Sequence, residues 1–380
     1  MAKRTSYHTQ SSYLRNERLR ELQRELPVVC TDYFRAISQT TSPLTRLAYA
    51  YDLRLFFRYL CEEVPSFANS SPALVEIDDI KRVTARDIAG FQEYLQQYVK
   101  PVEPSEPALS DRDAPPLFVQ NKELGIMRKL SCVRSFFDYL FKHDLIPANV
   151  ATKITLPKRH DKPILYLEPH EVQRLIDAVM TGEGLSDRQQ KYLDLTRPRD
   201  IAILMLFLGT GIRVSELVGI DIDDLDLDNM AFVVTRKGGD QSILYYQEAV
   251  RDSLQDYLSL RQTINPVDGT EHALFLSLQR RRITPRAVEN LVKKYAQVAA
   301  PLKKRISPHK LRSTFGTSLY QETGDIYLVS DALGHSDVNT TKRHYAALLD
   351  SRKREASQRI VLPRVAGVTK DEDISPDQED

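Results

Sequence analysis

Residues 307–317 read Ser-Pro-His-Lys-Leu-Arg-Ser-Thr-Phe-Gly-Thr. Ser307 and Pro308 are a typical helix start, because Ser caps a helix N-terminus and Pro fits the first helical position. His309 and Arg312 then lie three residues apart, which places them on one face of the predicted helix. Phosphate binds readily near the positive end of a helix, so this stretch predicts a helix that presents an anion-binding pair.

Four more polar residues are spread over the second half of the chain. Arg213 comes directly after a Gly-Thr-Gly turn, Lys237 lies at a predicted hairpin tip, and His335 stands at a predicted helix end. Tyr345 is the only tyrosine after residue 327. With the first pair they suit attack on a phosphodiester, because Arg and Lys neutralise phosphate, His moves a proton and Tyr acts as nucleophile. They make a poor metal site, and we expect neither a metal nor a cofactor.

Each of these side chains, taken singly, also fits a structural role. Arg213 is flanked by apolar residues and can be the ion-pair partner of Glu216 instead of an anion ligand. Lysines at hairpin tips are usually only solvent-exposed, and a histidine after a helix end often caps carbonyl groups. A late tyrosine commonly packs in a core. The residues alone therefore leave both interpretations open.

The composition describes a globular chain that is too long for one ordinary core. With 380 residues, 42% hydrophobic and 28% charged, two domains are expected. The longest apolar run, Ile201–Leu208, is too short to span a bilayer and predicts a buried helix. The N-terminus lacks the apolar core of a signal peptide, and the cysteines share no metal-binding spacing. We expect a reduced, cytoplasmic protein without membrane contact.

Local signals predict an all-helical first domain over residues 1–150. Ser42-Pro43 and Thr84 are helix starts, and apolar residues follow each of them at helical spacing. The Pro-rich stretch 101–116 predicts a surface loop. Residues 151–163 are polar and basic, which is typical of a linker that approaches a polyanion.

Residues 164–349 predict a second domain that is mainly helical and contains a small antiparallel sheet. We interpret Thr196 as the cap of the buried helix, after an irregular stretch over 182–195. Two β-rich runs flank the glycines that follow Lys237, which is a hairpin signal. The last predicted helix contains Thr341–Leu349.

Charge is unevenly distributed, although the formal net charge is only +1. Six of the last ten residues are acidic, so the C-terminal segment 350–380 is expected to have a disordered end. Without that tail the chain is basic, which suits a nucleic-acid partner, although each basic cluster also fits a solvated face. The candidate DNA-contacting residues are Lys158, Arg159, Arg236, Arg280, Arg281 and Lys310.

Three strings, in their order along the chain, resemble the signature boxes of the tyrosine recombinases. Residues 209–217 read Gly-Thr-Gly-Ile-Arg-Val-Ser-Glu-Leu, and residues 307–317 are the second string. Residues 333–345 read Leu-Gly-His-Ser-Asp-Val-Asn-Thr-Thr-Lys-Arg-His-Tyr. The resemblance covers the whole chain, because the first domain is similar to the family's helical, SAM-like core-binding domain. It implies a mainly α fold in which two domains clamp double-stranded DNA.

The resemblance implies how the scissile phosphate is held. Arg213 and Arg312 would bind its non-bridging oxygens, and His335 would donate a hydrogen bond to it. Glu216 would orient part of this set. Fixed donors of this kind stabilise the negative charge of a pentacoordinate phosphate without a metal.

The resemblance also implies how the bond is broken. Tyr345 would be the nucleophile that forms a 3′-phosphotyrosyl intermediate, Lys237 would protonate the leaving 5′ oxygen, and His309 would accept or relay the tyrosine proton. A free tyrosine has a pKa of about 10, so attack at neutral pH needs a cationic pocket or a base. The phosphotyrosyl ester keeps the energy of the phosphodiester, so a 5′-hydroxyl can reverse the step without ATP.

The chain departs from the family's usual pattern in three places. Tyr345 follows His335 by one position more than is usual, which affects the expected register of the last helix. Ser313 stands where the family usually has a histidine, and Asp240 lies in a hairpin that is commonly more basic. Fewer phosphate contacts are therefore expected from that hairpin.

The implied reaction is site-specific recombination by a tetramer that joins two duplexes. We favour Xer-like resolution of chromosome dimers, because we expect no arm-binding domain before the core-binding helices. The integrase of a mobile element, such as a phage or conjugative transposon, is the alternative. A type IB-like topoisomerase and a non-catalytic DNA-binding protein are more distant alternatives. A directionality factor or a DNA motor protein is an additional expected partner, and the residues after Leu349 either dock on the next protomer or fray.

Overall fold

A computed structural model describes residues 6–67, 71–99, 118–157, 164–236, 239–303, 306–334 and 337–345. The chain is mainly helical with small antiparallel sheets, which confirms the predicted fold class. It divides into two compact units, of which the first comprises Met1–Asp161 with Lys237–Asp240 and the second comprises Lys162–Arg236 with Gln241–Asp380. The finer predicted division, with a linker over 151–163 and a separate segment 350–380, stays a prediction.

Two helices of the first unit, those that follow Ser42 and Thr84, begin where local capping signals place them. The Ser42 hydroxyl accepts a hydrogen bond from the amide of Thr45 at 3.2 Å, and the Thr84 hydroxyl accepts one from the amide of Asp87 at 3.3 Å. Both predicted helix starts are therefore confirmed. The described elements of this unit are α1 (Tyr7–Gln23), α2 (Val29–Ala36), α3 (Pro43–Glu63), α4 (Ile77–Lys81), α5 (Ala85–Tyr94), β1 (Gln97–Val99), β2 (Phe118–Gln120) and α6 (Glu123–Lys142).

The first unit also contains a small sheet, so the expectation of an all-helical domain is wrong. β1 and β2 pair antiparallel, with Tyr98 opposite Val119. Each strand has three residues, too few to produce a recognisable alternation in the sequence. The predicted loop 101–116 lies between them, outside the described residues.

Aromatic side chains from three helices form the core of the first unit. Phe56 of α3, Phe91 of α5 and Phe137 of α6 are almost completely buried. The Phe56 ring meets the other two edge to face, with centroid distances of 5.1 and 6.2 Å. The apolar stripes predicted from helical spacing therefore converge on one core.

The second unit combines helices with a three-stranded antiparallel sheet. The strand order is β3-β4-β5, and Val233 of β4 lies opposite Ile243 of β5. The described elements are α7 (Pro169–Thr181), α8 (Asp187–Gln190), α9 (Leu193–Thr210), α10 (Val214–Leu217), β3 (Leu225–Asp226), β4 (Ala231–Thr235), β5 (Gln241–Tyr245), α11 (Glu248–Thr263), α12 (Pro285–Ala299), α13 (Pro308–Thr323), α14 (Ile326–Ala332) and α15 (Val338–His344).

Helix α9 is the central element of the second unit. It packs against α7, α11 and α13, and most of its apolar side chains are buried, including Ile203 and Phe207. A helix surrounded in this way is apolar on all sides. The prediction of a buried helix from the run Ile201–Leu208 is confirmed.

Three sequence-based boundaries in this unit need correction. α9 begins at Leu193, and Thr196 lies inside it, where its hydroxyl donates to the carbonyl of Tyr192 at 3.1 Å. Threonine makes this bond to the residue four positions earlier within a helix, so it is not a cap here. The stretch 182–195, predicted to be irregular, contains α8. The last described helix ends at His344 and is followed by Tyr345 as its C-cap.

Among the described residues, no helix is long and apolar enough to cross a membrane.

Candidate active site

Arg213 is fixed by the sharp turn between α9 and α10. Gly211 ends α9 with a φ of +61°, and a side chain at this position would overlap the ring of Phe315. Arg213 is the N-cap of α10, and its amide donates to Glu216 Oε2 at 3.0 Å while its Nη1 donates to Oε1 at 2.8 Å. Because Glu216 is buried, this double contact holds the arginine in one orientation.

Arg312 lies in the first turns of α13, which begins at Pro308 as predicted. Ser307 is at the N-cap, although its side chain makes no capping bond there. Arg312 is 4% exposed, and its guanidinium donates to the carbonyls of Gly211, at 2.5 Å, and Leu333. Burial lowers the pKa of Arg312 to about 10.

A second cause of that shift is the presence of other positive charges. Arg213 and Arg236 both lower the pKa of Arg312, and the carboxylate of Glu216 offsets only part of this effect. Mutual repulsion of this kind means that the positive charge of the group is incompletely neutralised by the protein.

Arg236 is the third arginine of this group, although its place in the sequence predicted only a contact with DNA. It follows β4 and its side chain is 12% exposed. Its Nη1 lies 3.5 Å from Glu216 Oε1, the same oxygen that binds Arg213. No local signal in the sequence indicates this position, because Glu216 lies on a separate element.

The turn after α14 contacts all three arginines. The carbonyl of Leu333 accepts from Arg312, and the carbonyl of Gly334 accepts from Arg213 Nη2 at 2.8 Å. Gly334 has a φ of +55°, and the guanidinium of Arg236 packs directly against it. The residue that follows in sequence, His335, lies outside the described residues.

Tyr345 lies at the C-terminal end of α15, with its hydroxyl against α13. Its side chain is 3% exposed, and its ring lies 6.1 Å from that of Tyr320 between centroids. Gly316 of α13 makes room for it, since a side chain there would overlap the Tyr345 hydroxyl. Burial raises the pKa of Tyr345 to about 12, while the positive charge of Arg312 and the hydroxyl of Thr317 act in the opposite direction.

The described residues therefore bring together three arginines, one buried carboxylate and one tyrosine. Positive charge exceeds negative charge, and the guanidinium groups are fixed by carbonyl and carboxylate partners. Such a preorganised cluster suits an anion with several oxygen atoms, such as a phosphodiester, and stabilises further negative charge that develops during a reaction.

The other predicted site residues have different positions. His309 is exposed in the first turn of α13, and Lys310 beside it is half-buried. Arg280 and Arg281 are exposed on a turn between α11 and α12. The remaining predictions, which lie outside the described residues, are Lys158, Arg159, Lys237 and His335.

Among the described residues, no group of three or more His, Cys, Asp or Glu side chains is placed to hold a metal ion.

Known proteins resemble this chain in sequence and in fold. The model of the phage integrase family matches residues 166–352. Tyrosine recombinase XerC of Caldanaerobacter subterraneus subsp. tengcongensis is 34% identical over 333 residues, which are 86% of this chain and 83% of XerC. Tyrosine recombinase XerS of Streptococcus thermophilus is 29% identical over 364 residues, with 89% of this chain and 96% of XerS covered.

Among solved structures, the XerH site-specific recombinase bound to its palindromic difH substrate, in a post-cleavage complex, has a TM-score of 0.58. The match covers 84% of this chain and 81% of XerH at 19% identity, so it shows a shared fold. The similarity to XerC is closer and extends over most of both chains. The chain therefore belongs to the phage integrase family, the tyrosine recombinases, which cut and rejoin DNA strands without metal or ATP.

Proposed function

We propose that this protein is a site-specific recombinase that uses Tyr345 to cut and rejoin DNA. The observation that carries the proposal is that Arg213 and Arg312 bind the carbonyls of Gly334 and Leu333, and that Tyr345 packs in the same buried cluster as Leu333. The two arginines and the tyrosine come from three separate elements and match, in order and type, the boxes that led to the resemblance. Their excess positive charge is suited to a phosphodiester.

In the proposed reaction, the Tyr345 hydroxyl oxygen attacks phosphorus and loses its proton to His309. The bond between phosphorus and the 5′ oxygen breaks, and Lys237 donates the proton that turns this oxygen into a 5′-hydroxyl. Arg213 and Arg312 hold the non-bridging oxygens as negative charge develops, and His335 adds a hydrogen bond. Attack by another strand's 5′-hydroxyl reverses the step and releases Tyr345.

The pKa of Tyr345 means that the proposed reaction needs a base. Burial raises this pKa to about 12, so the hydroxyl is protonated at neutral pH. Its proton must therefore leave toward a base as the new bond forms. His309 is exposed in the first turn of the same helix as Arg312, and it is the base proposed for this step.

The two units are proposed to clamp double-stranded DNA in the cytoplasm, and Lys158, Arg159, Arg280, Arg281 and Lys310 are proposed to contact its backbone. Exposed positive side chains supply sequence-independent affinity, which falls as salt rises. Two protomers on each duplex would form a tetrameric synapse, and a directionality factor or DNA motor protein would control it.

Xer-like resolution of chromosome dimers is the favoured role. The XerC and XerS relatives both align over more than four-fifths of this chain and of their own length. A plasmid that carries two copies of a palindromic site from the replication terminus of the source genome should be resolved. Recombination only between two unlike attachment sites would instead support the integrase of a mobile element.

The C-terminal segment 350–380 is proposed to dock on the next protomer. Deleting it should weaken synapsis more than the binding of one protomer to one site. Gel-shift titrations of single sites and of paired sites measure the two effects separately, and equal losses would contradict the proposal.

Covalent trapping on DNA tests the proposed function. A candidate site with a nick close to the cleavage position releases a short fragment after attack, so that rejoining fails and the protein–DNA adduct accumulates. Wild type should give an adduct that survives detergent, and Tyr345→Phe should give none. Tyr327→Phe removes an exposed tyrosine hydroxyl from α14 and is the matched control. An adduct that persists in Tyr345→Phe would show that Tyr345 is not the nucleophile.

A further inference from the structure

Arg236 is folded inward although it lies at the base of the hairpin that carries Lys237. Its side chain is 12% exposed, whereas Arg280 and Arg281 are exposed as expected for contacts with a DNA backbone. The inward position of Arg236 therefore sets it apart from those two exposed arginines.

The guanidinium of Arg236 lies flat on the backbone of Gly334. A Cβ atom built on Gly334 would be 2.7 Å from Cζ, 2.8 Å from Nη1 and 3.1 Å from Nη2. Three similar distances place the face of the guanidinium plane, and not its edge, against the glycine. The φ of +55° favours glycine at position 334, and the absence of a side chain there lets the guanidinium approach the backbone closely.

Arg236 also shares its carboxylate partner with Arg213. Glu216 Oε1 lies 2.8 Å from Arg213 Nη1 and 3.5 Å from Arg236 Nη1. The second distance is long for a hydrogen bond, so the interaction is mainly Coulombic. The buried carboxylate of Glu216 thus contacts both Arg236, at the end of β4, and Arg213, which is proposed to hold the phosphate.

The anchor is directly next to the proposed general acid. Consecutive Cα atoms are about 3.8 Å apart, so an anchored Arg236 fixes the residue to which Lys237 is bonded. Proton donation requires the donor to lie within hydrogen-bond reach of the leaving oxygen. A hairpin base that is free to move would not satisfy this condition reliably.

We propose that Arg236 is a positioning residue that, through Glu216 and Gly334, places Lys237 at the leaving 5′ oxygen. This inference rests on the proposed function. In the assisted step the Tyr345 oxygen–phosphorus bond forms and the bond from phosphorus to the 5′ oxygen breaks. The Lys237 ammonium group loses a proton and the leaving oxygen gains it. In this proposed role Arg236 acts through Lys237 and transfers no proton itself.

The test replaces the bridging 5′ oxygen of the scissile phosphate by sulfur. A thiolate is a far better leaving group than an alkoxide, because a thiol has a pKa of about 8.5, and it therefore departs without a proton donor. Single-turnover rates of adduct formation are measured on the oxygen and sulfur substrates. The variants are Arg236→Met, Arg236→Lys and Lys237→Ala, with Arg286→Met as a control for loss of an exposed arginine on α12.

On the oxygen substrate, Arg236→Met should be slower than wild type by about 100-fold, because general acid catalysis contributes about 100- to 10,000-fold. On the sulfur substrate, Arg236→Met and Lys237→Ala should both come within a few-fold of wild type. Arg236→Lys keeps the charge but not the flat contact, and it should show a smaller defect that sulfur also rescues. Arg286→Met should match wild type on both.

Equal slowing of Arg236→Met on both substrates would overturn the inference, because it would mean that Arg236 acts on the phosphate or on DNA binding. DNA affinity, measured in parallel, distinguishes these two causes. Melting curves show whether Arg236→Met folds, and Arg236→Lys decides the outcome if it does not. No adduct from wild type on either substrate would instead reject the proposed function itself.

Discussion

The second unit contains two buried clusters that use the same residue types in opposite ways. Asp200 of α9 binds Arg199 at 2.7 Å, Lys294 at 3.3 Å and the Tyr295 hydroxyl at 2.8 Å. Around Glu216, by contrast, Arg213 and Arg236 share one carboxylate oxygen, and Arg312 and Tyr345 are close enough to affect each other's pKa. Each cluster thus combines one buried carboxylate, several cations and a tyrosine.

The difference lies in which group occupies the centre. In the first cluster a carboxylate is central, and every cation and the tyrosine hydroxyl point at it. Burial and the charge of Asp200 together raise the pKa of Tyr295. In the second cluster the arginines are central, and Arg312 opposes the effect of burial on the pKa of Tyr345. The first is a closed structural network, whereas the second has positive charge left for a ligand.

Exchanging either tyrosine for phenylalanine separates the two clusters most strongly. Tyr345→Phe removes the nucleophile, so covalent adduct formation should be abolished. Tyr295→Phe should still form the adduct but should lose about 1.5–3 kcal/mol of unfolding free energy, since a hydrogen bond to a charged group is lost. Trapping assays measure the adduct, and urea melts measure the unfolding free energy. Loss of the adduct in folded Tyr295→Phe would show that the role of Tyr295 is not only structural.

Neutralising the two carboxylates should give contrasting stability losses. Asp200→Asn leaves Arg199 and Lys294 buried without a negative partner, and breaking a buried pair costs about 3–5 kcal/mol. Glu216→Gln should cost less, because Arg213, which forms the shorter of the two ion pairs of Glu216, is 32% exposed and partly hydrated. Its main effect should be on cleavage rate. Equal stability losses in urea titrations would contradict the distinction between a closed and an open cluster.

Removing one arginine from each cluster should affect different properties. Arg312→Gln removes a fixed donor to the developing phosphate charge, and cleavage should slow by about 100- to 1000-fold. Arg199→Gln should lower the melting temperature and leave the single-turnover rate close to wild type. The rates are compared at saturating protein, so that any change in DNA affinity does not contribute. A rate for Arg312→Gln within a few-fold of wild type would remove Arg312 from the mechanism.

The raised pKa of Tyr345 predicts a loss of stability at alkaline pH. Below about pH 10 the tyrosine is protonated in the folded and unfolded states alike, and no proton is exchanged on unfolding. Between pH 10 and the folded pKa of about 12 only the unfolded state ionises, so unfolding is favoured by up to about 3 kcal/mol.

Tyr345→Phe should therefore lose less stability than wild type over this pH window. Tyr327→Phe, which changes an exposed tyrosine, serves as the control and should follow wild type. Unfolding free energies at pH 9 and at about pH 11 give the difference. Parallel curves for Tyr345→Phe and wild type would mean that the hydroxyl is not buried in solution.

Local signals in the sequence were enough to predict many helix boundaries and the order of the polar site residues. The starts at Ser42 and Thr84 depend on hydrogen bonds within one turn, so three or four residues determine them. The β1–β2 pairing could not be predicted in this way, because its partners lie on either side of a long intervening segment. Register between distant segments depends on tertiary packing.

The active site also has features that local sequence signals could not predict. The sequence pattern indicated Arg213, Arg312 and Tyr345 because each lies in a recognisable string. It did not indicate the place of Arg236, which depends on two contacts, with Glu216 and with Gly334, that are distant in the chain. Nor could it predict that Gly316 makes room for the tyrosine hydroxyl, since this is a matter of shape between α13 and α15.

Identification of the residue that becomes bonded to DNA tests the central claim most directly. Trapped adduct is digested with nuclease and trypsin, and the nucleotide-bearing peptide is sequenced by mass spectrometry. Cleavage after Arg343 and Arg352 yields the peptide 344–352, in which Tyr345 is the only tyrosine. We predict that the 3′-phosphate is found on Tyr345 of this peptide. Its attachment to any other residue would contradict the account.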